Sequence, residues 1–209
     1  MNGGNWSVIG LTGDPVRGEP AAVRSLANAS QQEASRWQGV VQSLRALAEQ
    51  GGAMEMKGDF APRARELLQA HPTDATQLAR GREAAGAALL EYGGQLEQAK
   101  RESQTALSQG VQAKRNRDMA ERNLKQVQAQ MRYMASQTYY GPAYYAAVQR
   151  FNMLKMQEAE YIAAWEAAEA QRMAAQQRAL QAGERATQQE NLAAQKLSAA
   201  APTSTPVKS

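Results

Sequence analysis

The chain has no cysteine, one histidine and only two phenylalanines in 209 residues. Without thiols there is no disulfide, no thiolate nucleophile and no cysteine-ligated metal. The single imidazole, His71, stands beside Pro72 with no second base or carboxylate paired to it in sequence, so it reads as an exposed or capping residue and not as a general base. Phosphate loop, nucleophile elbow and metal-ligand spacing are all missing. The carboxylates are scattered, with Glu97 to Arg101 and Asp118 to Arg122 at the i, i+4 spacing of exposed helices. No catalytic, cofactor-binding or metal-binding residue is therefore assigned, and an enzyme is not expected. Nor is there a run of roughly 20 apolar residues that could cross a bilayer. Met1 to Trp6 lacks the cationic start and apolar core of a Sec signal, so the expectation is a cytoplasmic protein that, if exported, leaves by a route independent of such a signal.

What is present is alanine, glutamine, glutamate and arginine, with 43% hydrophobic residues but only 6% aromatics and a mean hydropathy of −0.61. That composition suits long exposed helices better than a thick core. A net charge of +4 is too mild to select a partner class. From Leu89 to Met134, apolar residues recur at three- and four-residue steps through Leu96, Leu107, Leu124 and Val127. The spacing resumes after residue 145 with Val148, Phe151, Leu154, Tyr161, Trp165, Met173 and Leu180. Between the two stripes the only strong break is Gly141-Pro142, where Gly is expected to end one helix and Pro to open the next. The expected class is all-α: an elongated antiparallel hairpin whose second arm would be roughly 80 Å long.

In chain order, residues 1–19 form an extended lead-in with Trp6, Ile9 and Leu11 as anchors. Helices are expected over about 20–49, 60–69, 73–138 and 143–197, and a disordered tail over 199–209. Gly51-Gly52 stops the first helix, its apolar face running from Val23 and Leu26 to Leu47, and His71-Pro72 stops the second. Because helix 20–49 is about half as long as the arm after it, it covers only one end, making a three-helix bundle there and leaving a bare two-helix hairpin beyond.

Between Lys100 and Arg132 lie eight basic and three acidic residues, with no aromatic before Tyr133. A nucleic-acid track would interleave rings with the cations, so this stretch reads as a solvated face. The turn is richer. Tyr133, Tyr139, Tyr140, Tyr144, Tyr145 and Phe151 are six of the chain's twelve aromatics, gathered with Met131, Met134, Met153 and Met156. They either close a hairpin end that lacks a third helix or form a contact surface for a helical protein partner, a second copy or a lipid interface.

Trp6, Ile9-Gly10-Leu11, Asp14-Pro15 and Gly18-Glu19-Pro20-Ala21-Ala22-Val23-Arg24 resemble the lead-in and first helix of the type VII secretion-associated helical N-terminal domain of actinobacterial polymorphic toxins. Met56-Lys57-Gly58-Asp59-Phe60-Ala61 and Arg65 are similar to its WXG-like turn and following helix, with Met56 where the superfamily has Trp. Leu78 to Gln104 resembles the return helix, so the likeness spans roughly residues 6 to 115. It implies a WXG-like fold, a targeting, adaptor or structural role without catalysis, and a secretion partner. The Tyr-x-x-x-Asp/Glu signal of type VII substrates is not found: residues four after each tyrosine are Leu96, Gln137, Ala143, Tyr144, Val148, Gln149 and Trp165. Beside this reading stand a lipid-interacting hairpin with a Tyr/Met tip and a self-associating coiled-coil scaffold.

Overall fold

A computed structural model describes the backbone of residues 4–53 and 61–201, and side chains for residues 4–50, 63 and 71–201. The fold is all-α. A single 3₁₀ turn, Trp6–Ile9, precedes three helices: α1 (Pro20–Ala53), α2 (Ala61–Ala135) and α3 (Pro142–Ala200), with no strand among the described residues. The chain divides into two compact units: Met1–Arg17 with Ala99–Glu184, and Gly18–Gln98 with Arg185–Ser209.

Helix limits differ from the sequence expectation in three places, each for a local reason. α1 runs through Gly51-Gly52 to Ala53, because glycine lowers helix propensity by only about 1 kcal/mol and needs a following reason to stop the helix. α2 is continuous through Pro72, so the separate helix over 60–69 and its terminator at His71-Pro72 are not what forms. A proline inside a helix removes one amide donor without forbidding the turn when its neighbours hold the backbone; Thr76 Oγ1 donates to the Pro72 carbonyl at 2.6 Å. α2 also stops at Ala135, before the expected 138. There the Ser136 amide and hydroxyl both bond back to the Tyr133 carbonyl, at 3.1 and 2.7 Å. Gly141 does not terminate α2. It takes a left-handed conformation (φ 56°) immediately before α3 and accepts the Tyr144 amide at 3.1 Å, while Pro142 fills the first helical position. The tail expected over 199–209 lies almost wholly outside the described residues; α3 continues to Ala200.

In the unit containing residues 99–184, α2 and α3 run antiparallel. Gln109 bonds Arg178, Arg117 bonds Glu169 and Gln128 bonds Glu158, so rising numbers on one helix meet falling numbers on the other. The seam repeats at seven-residue intervals, mostly in small residues: Ala106, Ala113, Ala120 and then Val127 on α2, and Ala168, Ala175 and Ala182 on α3, with Leu154 two intervals earlier, are buried. A strict seven-residue repeat keeps one stripe facing the partner helix, and alanine lets the backbones approach. Several residues expected in the stripe lie on its flank instead: Val148, Met173 and Leu180 are exposed, as is much of Trp165. Hydrophobicity had outranked heptad phase in that expectation.

In the other unit, α1 packs on α2 around Ala27 and Ser30, and Ala34 and Val41, four and eleven residues after Ser30, are buried on the same face. Ser30 Oγ donates to the Arg82 carbonyl at 2.9 Å, Arg82 pairs with Glu33 at 3.0 Å, and Arg24 pairs with Glu97. α3 meets α2 through Lys196 and Glu91 at 2.5 Å. Leu26 and Leu47, expected on the buried face of α1, are exposed. Tyr92 is half-buried, and burial, aided by the charge of Glu190, raises its phenol above the ordinary range.

Candidate interaction surface

Two features of the 99–184 unit bear on function: how the lead-in is held, and what the α2–α3 end presents. Trp6 and Ile9 enter a buried cluster with Ala106, Leu107, Ala175 and Ala179, and Leu11 packs partly against it. Gly10 at φ 78° closes the 3₁₀ turn, placing the Leu11 amide 3.1 Å from the Trp6 carbonyl. Five residues further on, the chain is fixed by charge as well as packing. Asp14 Oδ1 accepts from the Val16 amide and from Ser103 Oγ, both at 3.0 Å, and Oδ2 faces Lys100 Nζ at 3.3 Å. Ser103 is fully buried, and its hydroxyl is shared between that carboxylate and the Lys100 carbonyl at 3.2 Å. Sequence reasoning singled out Asp14-Pro15 as a resemblance but assigned it no contact; the available signal was one polar Ser at a seam position of α2.

The α2–α3 end is built differently. α2 ends at Ala135 and α3 begins at Pro142, so Tyr139 and Tyr140 lie in the connection while Tyr144 and Tyr145 occupy the first turn of α3. Tyr139 and Phe151 are half-buried. Tyr133, Tyr140, Tyr144 and Tyr145 retain 67, 80, 54 and 72% of their accessible surface, which separates contact candidates from closure residues. Tyr144 and Tyr145 touch edge to face at 5.7 Å, a contact that leaves both rings open to solvent. Met153 and Met156 are also exposed.

Two adjoining grooves lie at this end, sharing Met134, Tyr139 and Ala147. One of about 590 Å³ is lined by Tyr133, Met134 and Tyr139 with Ala143, Ala146 and Arg150. The other is smaller, about 180 Å³, and is lined by Tyr144, Val148, Phe151 and Asn152 among others. Lys155 Nζ lies 5.4 Å from the Phe151 ring centroid, a cation–π contact.

Between the lead-in cluster and this end lies a polar interruption of the seam. Arg117 donates to Glu169 at 3.2 Å and to Asp118 at 3.3 Å, and Arg172 forks onto Glu169 through Nε and Nη2. The Arg172 hydrogen bond, then the Arg117 bond, hold the Glu169 carboxyl below its ordinary value, and Arg172 is raised in turn. Asp118 is lowered first by Lys114, and Glu121 by Lys125. Each perturbed acid owes its state to an ion pair on or beside the helix surface.

The expected WXG-like turn residues, Met56, Gly58 and Phe60, lie outside the described residues. Among the described residues no group of three or more His, Asp or Glu converges as a metal site would require, and no helix is long and apolar enough to cross a membrane. Compared with known proteins, the chain matches no family model, no curated protein and no solved structure.

Proposed function

We propose that the chain is a non-enzymatic helical interaction module whose α2–α3 end is its contact surface. The observation that carries this reading is the exposure of Tyr133, Tyr140, Tyr144 and Tyr145 after Tyr139 and Phe151 have been drawn in against the helices. Exposed tyrosines in such density are what recognition surfaces use, since a rigid amphipathic ring supplies contact area at little entropic cost. Asp118, Glu121, Glu169 and Arg172 support a role without catalysis, because each of these perturbed groups is occupied in an ion pair.

The setting we assign is type VII secretion or a polymorphic-toxin system, where the module acts as a targeting, adaptor or structural piece with a helical protein partner. Support comes from the lead-in residues Trp6 to Arg24, and the cellular course we assign is cytoplasmic residence followed by signal-peptide-independent export. The direct test places a photo-crosslinking amino acid at Tyr140 or Tyr145 in the host cell. A discrete cross-linked species that disappears when Tyr140, Tyr144 and Tyr145 become Ser is expected; failure of both positions to cross-link anything sinks the contact-surface reading. Appearance of the protein in the medium only when a type VII apparatus is intact tests the export route.

A second reading, self-association as a coiled-coil scaffold, is favoured by one observation. Val148, Ile162, Met173 and Leu180 lie on one flank of α3 and are all exposed. Sedimentation equilibrium separates it: a concentration-independent monomer mass would remove it.

A further inference from the structure

The cations around the α2–α3 end point to a particular kind of partner. From Arg122 to Gln157 the chain carries Arg122, Lys125, Arg132, Arg150 and Lys155 and not one Asp or Glu. All five are exposed. Lys125 pairs with Glu121, outside the stretch, whereas Arg132, Arg150 and Lys155 have no carboxylate partner among the described residues. Elsewhere in the same unit the charges balance, eight Lys and Arg against nine Asp and Glu, and several are paired directly: Lys114 with Asp118, Arg117 and Arg172 with Glu169, Lys100 with Asp14. The excess is therefore local to this end.

Order along the helices matters as much as sign. Tyr140, Tyr144 and Tyr145 occupy the connection and the first turn of α3. At 1.5 Å per residue, Arg132 is set back from the end of α2 by about 5 Å, Arg150 from the start of α3 by about 12 Å and Lys155 by about 20 Å. These three rings come first and the cations behind them. A bilayer surface has the same layering: an interfacial zone that takes amphipathic rings, and phosphates displaced outward by several ångströms, which long Lys and Arg side chains reach along their stems.

The rings also point to a plane more than to a pocketed partner. Tyr133 lines one groove, Tyr144 and Phe151 the other, with Tyr139 shared between them, and Tyr140 and Tyr145 line neither. A helix or peptide seated in either groove would leave Tyr140 and Tyr145 uncovered, whereas a fluid interface receives all of the rings. A single-stranded nucleic acid would want exposed rings interleaved with the cations along a track, and here Tyr140, Tyr144 and Tyr145 lie beyond them.

Resting on the reading of this end as a contact surface, we propose that its partner is an anionic phospholipid membrane surface, met by inserted Tyr rings and bound through headgroup phosphates by Arg132, Arg150 and Lys155. The interaction is peripheral: the chain lies at the surface and does not span.

The test is co-sedimentation of the full chain with vesicles of phosphatidylglycerol and phosphatidylcholine against vesicles of phosphatidylcholine alone. Binding to the anionic vesicles only, weakened more than ten-fold between about 0.05 and 0.5 M NaCl, is expected from screening. Each surface-facing cation is worth roughly a five-fold gain in partitioning, so Arg132→Gln, Arg150→Gln and Lys155→Gln together should lower binding about 100-fold. Tyr140→Ser, Tyr144→Ser and Tyr145→Ser should lower it independently, with circular dichroism confirming unchanged helicity for both variants. Equal binding to neutral vesicles, no binding at low salt, or indifference to either variant overturns the proposal, as does tighter binding to a DNA oligonucleotide that only the cation variant weakens. Should vesicles be ignored while Tyr140 cross-links a protein, the lipid assignment falls and the contact surface stands. When neither lipid nor cross-link is found, both fall.

Discussion

Ile9 occupies the space that a Cβ on Gly110 would need: a methyl there would collide with Ile9 Cγ2. Ile9 is fully buried and β-branched, so that methyl has no freedom to swing aside. Gly110→Ala should therefore destabilise the protein even though alanine is the better helix former by about 1 kcal/mol. Gly94→Ala and Gly39→Ala meet nothing within 4 Å and should stabilise by about 0.5–1 kcal/mol. Urea denaturation of the three variants decides the matter, since opposite signs are required. Ile9→Ala alone should cost about 2–4 kcal/mol, and Gly110→Ala should be better tolerated in its background.

Asp14 serves three donors at once, and one of them, Ser103, is buried. Asp14→Ala leaves the Ser103 hydroxyl only the Lys100 carbonyl of its own helix, at 3.2 Å, and leaves Lys100 facing no carboxylate at this point, a loss of about 1–2 kcal/mol. Because the acceptor ties residues 14–16 to α2, the effect should be concentrated in the lead-in. Hydrogen exchange read by mass spectrometry should show faster exchange over residues 5–16 with α2 beyond residue 115 unchanged. Ser103→Ala in the Asp14→Ala background should add little, since the two groups act as one.

The all-α class was legible because three- and four-residue apolar spacing persists over most of the chain. The composition of the seam was less so. Ala106, Ala113 and Ala120 on α2 and Ala168, Ala175 and Ala182 on α3 recur every seven residues, a phase that bulk hydrophobicity ignores. Ranking by size selected Met173 and Leu180, which flank the seam and are exposed. Trp6 and Ile9 stood out in a lead-in short of apolar residues, and they are buried; the contact of Asp14 did not, because a carboxylate's acceptor role depends on a Ser nearly ninety residues away. Four of the six aromatics near the turn are openly exposed and two half-buried, a division set by where α2 stops. That stop depends on Ser136 bonding back to Tyr133, a local choice no periodicity reports.

Glu169 binds two arginines, one on its own helix and one on α2. Its carboxyl is held below its ordinary 4.5, chiefly by the Arg172 hydrogen bond. A depressed folded value means that the stabilisation is fully present above the unfolded value and disappears as pH falls through the lowered folded one. The melting temperature should thus be flat through neutral pH and decline only once the pH drops below the ordinary carboxylate range. Glu169→Gln should lower it at pH 7 by about 2–4 °C, equivalent to roughly 1 kcal/mol for a chain of this size. The same substitution should flatten part of the acid-side decline. Thermal melts by circular dichroism at a series of pH values, for both proteins, check the two expectations together.

Pro72 lies well inside α2, where it offers no amide to the carbonyl four residues earlier. A proline in a helix interior costs up to about 3 kcal/mol relative to alanine, so the segment around it is the weakest part of a helix that nonetheless continues. Pro72→Ala restores the missing donor and relieves the ring's crowding against the preceding turn. Amides over residues 66–74 should then exchange more slowly by about ten-fold or more, with residues 110–135 unaffected. Thr76→Val tests the same segment from the other side: it removes the hydroxyl that bonds the Pro72 carbonyl and should speed exchange there by a few-fold. Were residue 72 instead the end of one helix and the start of another, alanine would add no partner across the break and protection would stay as it was.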